Sequence, residues 1–343
     1  MDEQTAIEDI SDHGGSLMRA AVRFPDAPTP WVDLSTGINP HAYPLTDLPA
    51  DAFTRLPEAA DVAELTTIAA GYYGAPSPRM VVAAPGTQAL LPLVMELAGQ
   101  GRAAVLSPTY AEHARAARLV GHNVSEMTDV ERLFDADLAV VVNPNNPDGR
   151  MIGRDTLLDL ARHLHRKGGL LIVDEAFMDV GLHDQSLAGD VAQDGLVVLR
   201  SFGKFFGLAG VRLGFALAAE PVAAKLRSRL GPWAVAGPAL AYGRRALADT
   251  DWQVRMRQRL AHDASRLDAL LLRSGLTVAG GTSLYRFLRT PHASSIFDRL
   301  GHDGILVRNF DAMNDALRFG LPGDDAGFDR LTASLTRWRD RCP

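Results

Sequence analysis

Val197-Val198-Leu199-Arg200-Ser201-Phe202-Gly203-Lys204-Phe205-Phe206-Gly207-Leu208-Ala209-Gly210-Val211-Arg212-Leu213-Gly214-Phe215-Ala216-Leu217 is two apolar runs joined by a glycine-punctuated turn that carries one lysine. Short apolar runs with no alternation mark strands buried on both faces. Val197–Leu199 and Leu213–Leu217 are two such strands. Met80–Ala84, Ala103–Leu106, Leu138–Val142 and Leu170–Val173 are four more. Helical patterns at Gln88–Leu97, Ala111–Leu119 and Thr156–His165 fall between them. This alternation predicts an α/β domain with a mostly parallel sheet covered by helices. Ligands of such sheets lie beyond the carboxyl ends of the strands.

From about Ala239 the pattern changes. Tyr242–Ser274 reads as one long, arginine-rich helix. Strands follow at Leu276–Val278, Leu284–Leu288 and Ile305–Val307, with helices at Ala293–Leu300 and Asp324–Trp338, the makings of a smaller α+β domain. The expected organisation is a lead-in segment over 1–40, a large domain over 41–238 and a small domain over 239–343. A chain of 343 residues exceeds what one hydrophobic core usually spans.

Composition is that of a globular protein, 47% hydrophobic and 22% charged. The net charge, 35 − 41 = −6, argues against general binding of nucleic acid or anionic membranes. No basic helix-turn-helix segment is present to suggest a DNA-binding regulator. The only cysteine is Cys342, so neither a disulfide framework nor a cysteine-rich metal site is expected, and a reducing cytoplasm fits. No metal is expected. The acidic N-terminus lacks the apolar core of a signal peptide. The longest apolar stretches, such as Leu213 to Ala219, are too short to cross a bilayer.

Chemistry-bearing residues follow directly on the buried runs. Lys204, between glycines and beside Phe205-Phe206, suits a buried turn where a lysine loses its proton and attacks an aldehyde. Ser201 and Arg212, at fixed offsets from it, suit a phosphate, which an arginine grips through its planar fork. Gly86-Thr87 opens a helix after Met80–Ala84, where backbone N–H groups favour an anion; an ordinary cap by Thr87 is the competing explanation. Asp174 ends a buried strand and needs a cationic partner, for which a pyridinium nitrogen would serve. Asn146, in Asn143-Pro144-Asn145-Asn146-Pro147-Asp148-Gly149, is a donor for a phenolic oxygen or simply a turn residue. Tyr110 is placed to stack on a flat ring or to start a helix. Arg318 and Arg308, each flanked by apolar residues, call for an anion, whether a substrate group or a structural carboxylate. Lys204, Asp174, Asn146 and the Ser201–Arg212 pair together point to pyridoxal phosphate.

These segments resemble the fold-type I pyridoxal-phosphate enzymes of aminotransferase class I/II. His13-Gly14-Gly15, Asp33-Leu34-Ser35-Thr36-Gly37-Ile38-Asn39-Pro40, Pro108-Thr109-Tyr110-Ala111-Glu112-His113, Asp174-Glu175-Ala176-Phe177 and Gly231-Pro232-Trp233-Ala234-Val235 are similar to the threonine-phosphate decarboxylases of cobalamin biosynthesis within that group. Those in turn resemble histidinol-phosphate aminotransferases. The resemblance implies a homodimer with Lys204 as the Schiff-base lysine, Asp174 as the pyridinium partner and Asn146 at the phenolic oxygen. Tyr110 would stack on the ring, and Gly86, Thr87, Ser201 and Arg212 would hold the cofactor phosphate. Arg318 would take the substrate carboxylate, with His13, Asn39 and Arg308 near the substrate's own phosphate. The implied reaction is decarboxylation of L-threonine O-3-phosphate to (R)-1-amino-2-propanol O-2-phosphate. Transamination of a phosphorylated amino compound such as histidinol phosphate is the alternative. Two departures stand out. Phe177 occupies a position where related aminotransferases carry tyrosine, leaving Asn146 to act alone. Arg55-Leu56-Pro57 stands where many relatives carry an Arg-Tyr-Pro run that reaches the neighbouring subunit's cofactor phosphate, so that contact is either lost or made elsewhere, with Tyr72 or Tyr73 as candidates.

Overall fold

The computed structural model describes residues 13–340. It divides into two compact units. One is Ala42–Met256; the other joins the residues up to His41 to those from Arg257 onward.

The larger unit is built on a seven-stranded sheet. Its strands are β2 (Val81–Ala84), β3 (Arg102–Leu106), β4 (Asn123–Met127), β5 (Leu138–Val142), β6 (Leu170–Asp174), β7 (Leu196–Ser201) and β8 (Gly214–Ala218). They lie in the order β2-β8-β7-β6-β5-β3-β4. All six apolar runs read from the sequence are strands here, and every residue of β5, β6 and β8 is buried. Pairing is parallel from β7 through β4, while β8 runs antiparallel to both neighbours. The reversal matters for the site, because the residues that precede β8 emerge on the same edge as those that follow β2, β5, β6 and β7. The sheet and the helices Thr87–Met95, Glu112–Leu119 and Glu220–Leu230 enclose one core containing Leu90, Val94, Val105, Val140, Ile172, Leu199 and Leu226.

The smaller unit carries a five-stranded sheet in the order β1-β11-β12-β10-β9. Its strands are β1 (Val32–Leu34), β9 (Val278–Thr282), β10 (Tyr285–Arg289), β11 (Ile305–Asn309) and β12 (Ala316–Gly320). The lead-in segment is therefore part of this sheet: Val32, Asp33 and Leu34 pair in parallel with Ile305, Leu306 and Val307.

Two sequence expectations are corrected. Tyr242–Ser274 is two helices, Gly237–Ala248 and Thr250–Arg273, separated at Asp249, whose Oδ1 accepts a hydrogen bond from the Trp252 N–H at 3.0 Å and so starts the second helix. The boundary expected at 238/239 falls at 256/257. Gly237–Ala248 packs within the larger unit, where Gly243 lies against Leu65 and Leu213 and the Tyr242 hydroxyl donates to the Thr46 carbonyl at 2.7 Å. Among the described residues no helix is long and apolar enough to cross a membrane.

Candidate active site

The edge of the seven-stranded sheet where β2, β5, β6 and β7 end carries a cleft of about 160 Å³. Gly86, Thr87, Tyr110, Asn146, Asp174, Ser201, Lys204 and Arg212 all line it, together with Gln88 and Phe177. The structure thus brings together the eight residues singled out for the cofactor.

Register explains one end of the cleft. Gly214 pairs with Ala84 on one side and with Ser201 on the other. A side chain at Gly214 would meet the Thr87 nitrogen at 2.5 Å, so only glycine lets the three segments close up. Gly86, at φ +83°, is the cap residue of the helix Thr87–Met95, with no side chain capping the first turn. Thr87 is the first helical residue, not the cap. The first-turn N–H groups therefore remain available to an anion. A methyl group on Gly86 would lie 2.7 Å from the Arg212 guanidinium. Arg212 itself adopts φ +56°, left-handed backbone that costs a non-glycine residue roughly 1–3 kcal/mol and clusters at ligand sites. An arginine, a serine and a bare helix start form a cradle for phosphate oxygens.

Asp174 marks the other end. Its Oδ1 accepts from the Ala176 N–H at 3.0 Å, and its Oδ2 lies 2.9 Å from Nε2 of fully buried His113. A carboxylate only accepts, so this Nε2 carries the hydrogen. His113 was not picked out from the sequence, although it lies within the Pro108–His113 run. It sits three residues after Tyr110, on the same side of the chain as the helix begins, and the two rings meet edge to face at 5.8 Å. The Tyr110 hydroxyl donates to Gln88 Oε1 at 3.1 Å, and Gln88 Nε2 donates to Glu112 Oε2 at 2.6 Å. Burial, with the charges of Glu112 and Asp174 adding to it, pushes the Tyr110 hydroxyl up to about 12, so it stays a neutral donor at ordinary pH. Asn146 is held by its neighbour Asn145, which accepts from Thr109 Oγ1 at 2.6 Å and donates to the Pro108 carbonyl at 3.0 Å.

Lys204 lies in the short helix Phe202–Phe205, its Nζ 5.6 Å from the Phe177 ring. Phe202, Phe205 and Phe206 beside it are buried, with Phe202 stacked on Phe206 at 4.6 Å, in keeping with a buried turn. A carboxylate at one end, an amine in the middle and a phosphate cradle at the other fit pyridoxal phosphate. Tyr73 does not face outward toward a neighbouring subunit as suggested above: it is buried, its ring 4.5 Å from the Arg200 guanidinium. Tyr72 is half-exposed.

The four residues singled out for substrate lie in the smaller unit. His13 and Arg308 line one cavity of about 210 Å³ with Arg19 and Arg23; Asn39 and Arg318 do not line it. Asn39 is buried and caps its own turn, accepting from the His41 N–H at 2.8 Å. Arg318 donates to the Ser35 carbonyl at 2.8 Å, and Gly15 N–H donates to Ser35 Oγ at 2.7 Å. Arg308 and Arg318 are direct register partners on β11 and β12, so two guanidinium-bearing chains rise side by side from one face. That juxtaposition was not visible in the sequence. Like charges directly opposite each other destabilise a sheet, and an anion offsets them.

The family described as aminotransferase class I and II matches residues 48–335. A threonine-phosphate decarboxylase of Pseudomonas aeruginosa is 45% identical, covering 96% of this chain and 98% of that one. Another from Sinorhizobium is 43% identical over 95% of this chain and 97% of its own. Among solved structures, a histidinol-phosphate aminotransferase from Clostridium acetobutylicum superposes with a TM-score of 0.79 at 22% identity, covering 90% of this chain and 99% of the other. That likeness establishes the shared fold.

Proposed function

The chain belongs to the aminotransferase class I and II family, and from that premise we propose that it decarboxylates L-threonine O-3-phosphate to (R)-1-amino-2-propanol O-2-phosphate. The single observation that carries the substrate class is the opposed pair Arg308 and Arg318. A substrate bearing both a carboxylate and a phosphate suits two guanidinium groups that rise from one face. The relatives at 45% and 43% identity bear the name of this activity.

Bound pyridoxal phosphate supplies an aldehyde for the substrate amine and an electron-withdrawing ring for the electron pair of the broken bond. The protein does the rest. Gly86, Thr87, Ser201 and Arg212 hold the cofactor phosphate, and Tyr110 stacks on its ring. Asp174, oriented by His113, keeps the ring nitrogen protonated. Asn146 donates to the phenolic oxygen, without help from Phe177. Lys204 would anchor the cofactor through its amine and, once free, would be the group placed to give a proton to Cα. Arg318 would take the substrate carboxylate, and Arg308, His13 and Asn39 would serve the substrate phosphate.

The working form is a cytoplasmic homodimer. Leu56 and Trp233, 63% and 59% exposed, line neighbouring clefts that share Pro57 and Glu58. An exposed apolar surface of this kind suits a second copy of the chain. The deciding experiment supplies threonine phosphate and no keto acid: carbon dioxide release supports the reading, and strict dependence on 2-oxoglutarate replaces it with transamination. Lys204→Ala abolishes turnover and the visible absorbance of the lysine-linked cofactor.

A further inference from the structure

Behind the cleft lies a second charged cluster with no opening to solvent. Arg200, Glu175 and Asp179 are each 1% exposed or less. Arg200 Nη1 donates to Glu175 Oε2 at 2.6 Å, and Nη2 donates to Asp179 Oδ1. Glu175 is further fixed by Ser186 Oγ at 2.6 Å and by the Leu187 N–H at 2.7 Å. Tyr73 covers the face of the guanidinium. Replacing a buried ion cluster of this kind by apolar side chains of the same shape is often neutral or stabilising, so stability alone does not explain it. What the cluster supplies is direction, because the bonds that Glu175 and Asp179 accept from Arg200 are short, charge-assisted and geometrically exacting.

Its members alternate with the residues that line the cleft. Asp174 lines the cleft and Glu175 does not; Ser201 lines it and Arg200 does not. Successive side chains of an extended chain point to opposite sides, so the cluster and the cleft are two faces of the same strand ends. Strands β6 and β7 are parallel neighbours there, with Asp174 opposite Leu199 and the Glu175 N–H bonded to the Leu199 carbonyl at 2.9 Å. Asp179 extends the grip to the far end of the Glu175–Asp179 turn, which carries Phe177 opposite Lys204.

We propose that Glu175, Asp179 and Arg200 are positioning residues: they fix the two strand ends and the turn, and thereby the seats of Asp174, Phe177 and Ser201 against the cofactor. This rests on the reading that the cleft binds pyridoxal phosphate. Loosening the cluster shifts those seats by fractions of an ångström, and misplacements of that order reduce rates steeply.

The test uses shape-conserving variants, Glu175→Gln and Asp179→Asn, with Ser186→Ala as a milder one that removes the hydroxyl bonded to Glu175, Arg200 and the Ala188 N–H but leaves every charge in place. Cofactor affinity is titrated on the apo-protein, and the visible circular dichroism of bound cofactor reports ring tilt. Glu175→Gln and Asp179→Asn are expected to weaken cofactor binding about tenfold, change the dichroism, and lower kcat with little change in KM; Ser186→Ala shifts each in the same direction by less. Asp303→Asn is the control. Asp303 lies in a more exposed ionic cluster of the other unit, with Arg299 at 2.8 Å, Arg337 at 2.9 Å and Ser334; its loss lowers the melting temperature and leaves cofactor affinity and dichroism unchanged. The proposal is overturned if Glu175→Gln and Asp179→Asn bind cofactor with wild-type affinity and dichroism, or if Asp303→Asn alters both equally. A wild-type protein that takes up no cofactor overturns the functional reading as well, which separates the two failures.

Discussion

Each sheet holds one buried arginine, and the two are opposites. Arg200 on β7 is 1% exposed and Arg318 on β12 is 7% exposed, so both have lost most of their hydration. For Arg200 burial alone would lower the pKa, but Asp179 and then Glu175 outweigh it and push the guanidinium above its ordinary value. For Arg318 burial dominates: Tyr285 and Asp33 favour the charge, Arg308 opposes it, and the value falls to about 10. A drop from 12.5 to about 10 corresponds to roughly 3 kcal/mol. One cation is completed by two carboxylates of the turn that follows β6. For the other, burial outweighs the charges that favour it. The contrast sets an arginine clamped by two buried carboxylates beside one whose charge burial disfavours.

The largest effect expected from breaking this contrast is on stability. Arg200→Met leaves Glu175 and Asp179 buried without their cation, and burial already raises the Glu175 pKa. A loss of about 3–5 kcal/mol is expected, measured by urea unfolding of the apo-protein. An unfolding midpoint equal to wild type would mean that the two carboxylates are neutral in the folded protein.

Arg318→Met is expected to do the reverse. It removes a cation held at a cost, so stability stays level or rises by about 1–2 kcal/mol, less than the full 3 because the bond to Ser35 is also lost. Meanwhile KM for threonine phosphate rises about a hundredfold, the size of a lost charge-assisted anion contact. Arg318 also has a pH signature. Its folded pKa lies below its unfolded one, so between about pH 10 and 12.5 the unfolded chain holds the extra proton and stability rises with pH. Tyr110, raised to about 12 from 10, acts with the opposite sign between about pH 10 and 12. The difference between wild type and Arg318→Met isolates the arginine: the two stability curves should converge as pH climbs through that window, and parallel curves would refute the assignment.

The same contrast shows what the sequence made legible. The seven-stranded sheet was read almost strand for strand, because strands buried on both faces are plain apolar runs. The exception is β4, Asn123–Met127, an edge strand paired only to β3 and largely exposed, whose composition carries no such mark. Lys204, Asp174 and Ser201 were legible because each follows such a run directly. In the smaller unit, β1 is three residues paired to a strand more than 270 positions away, and nothing local announces that partnership. Asp249 breaks a helix without a glycine or proline to signal it. Arg308 and Arg318 were each noticed alone, but their opposition is a fact of register. His113 escaped for a similar reason, since its role is defined by contact with an aspartate 61 residues later.

That contact gives an intermediate prediction. His113→Phe removes the hydrogen bond to Asp174 Oδ2 and leaves the carboxylate with the Ala176 N–H. A fall in kcat of about tenfold is expected from loss of one bond to a charged group, with KM nearly unchanged because His113 belongs to the larger unit and the proposed substrate arginines to the smaller. Equal losses in kcat and cofactor binding upon replacing another buried histidine, His122, would show the effect to be one of packing; His122 bonds the Met95 carbonyl and the Gly101 N–H.

The smallest effect tests the cofactor side of the contrast. Phe177 faces Lys204 in the cleft yet offers no hydrogen-bond donor. Phe177→Tyr adds one hydroxyl where related aminotransferases carry it. A donor reaching the phenolic oxygen stabilises that oxygen's negative charge, so the lysine-linked cofactor releases its proton at lower pH. The midpoint of the visible absorbance change should fall by about one pH unit, with stability within about 1 kcal/mol of wild type, since the new hydroxyl has an acceptor within the cleft. An unchanged midpoint would place the hydroxyl away from the phenolic oxygen. Asn146 would then hold that oxygen by a geometry that no neighbour at position 177 can share.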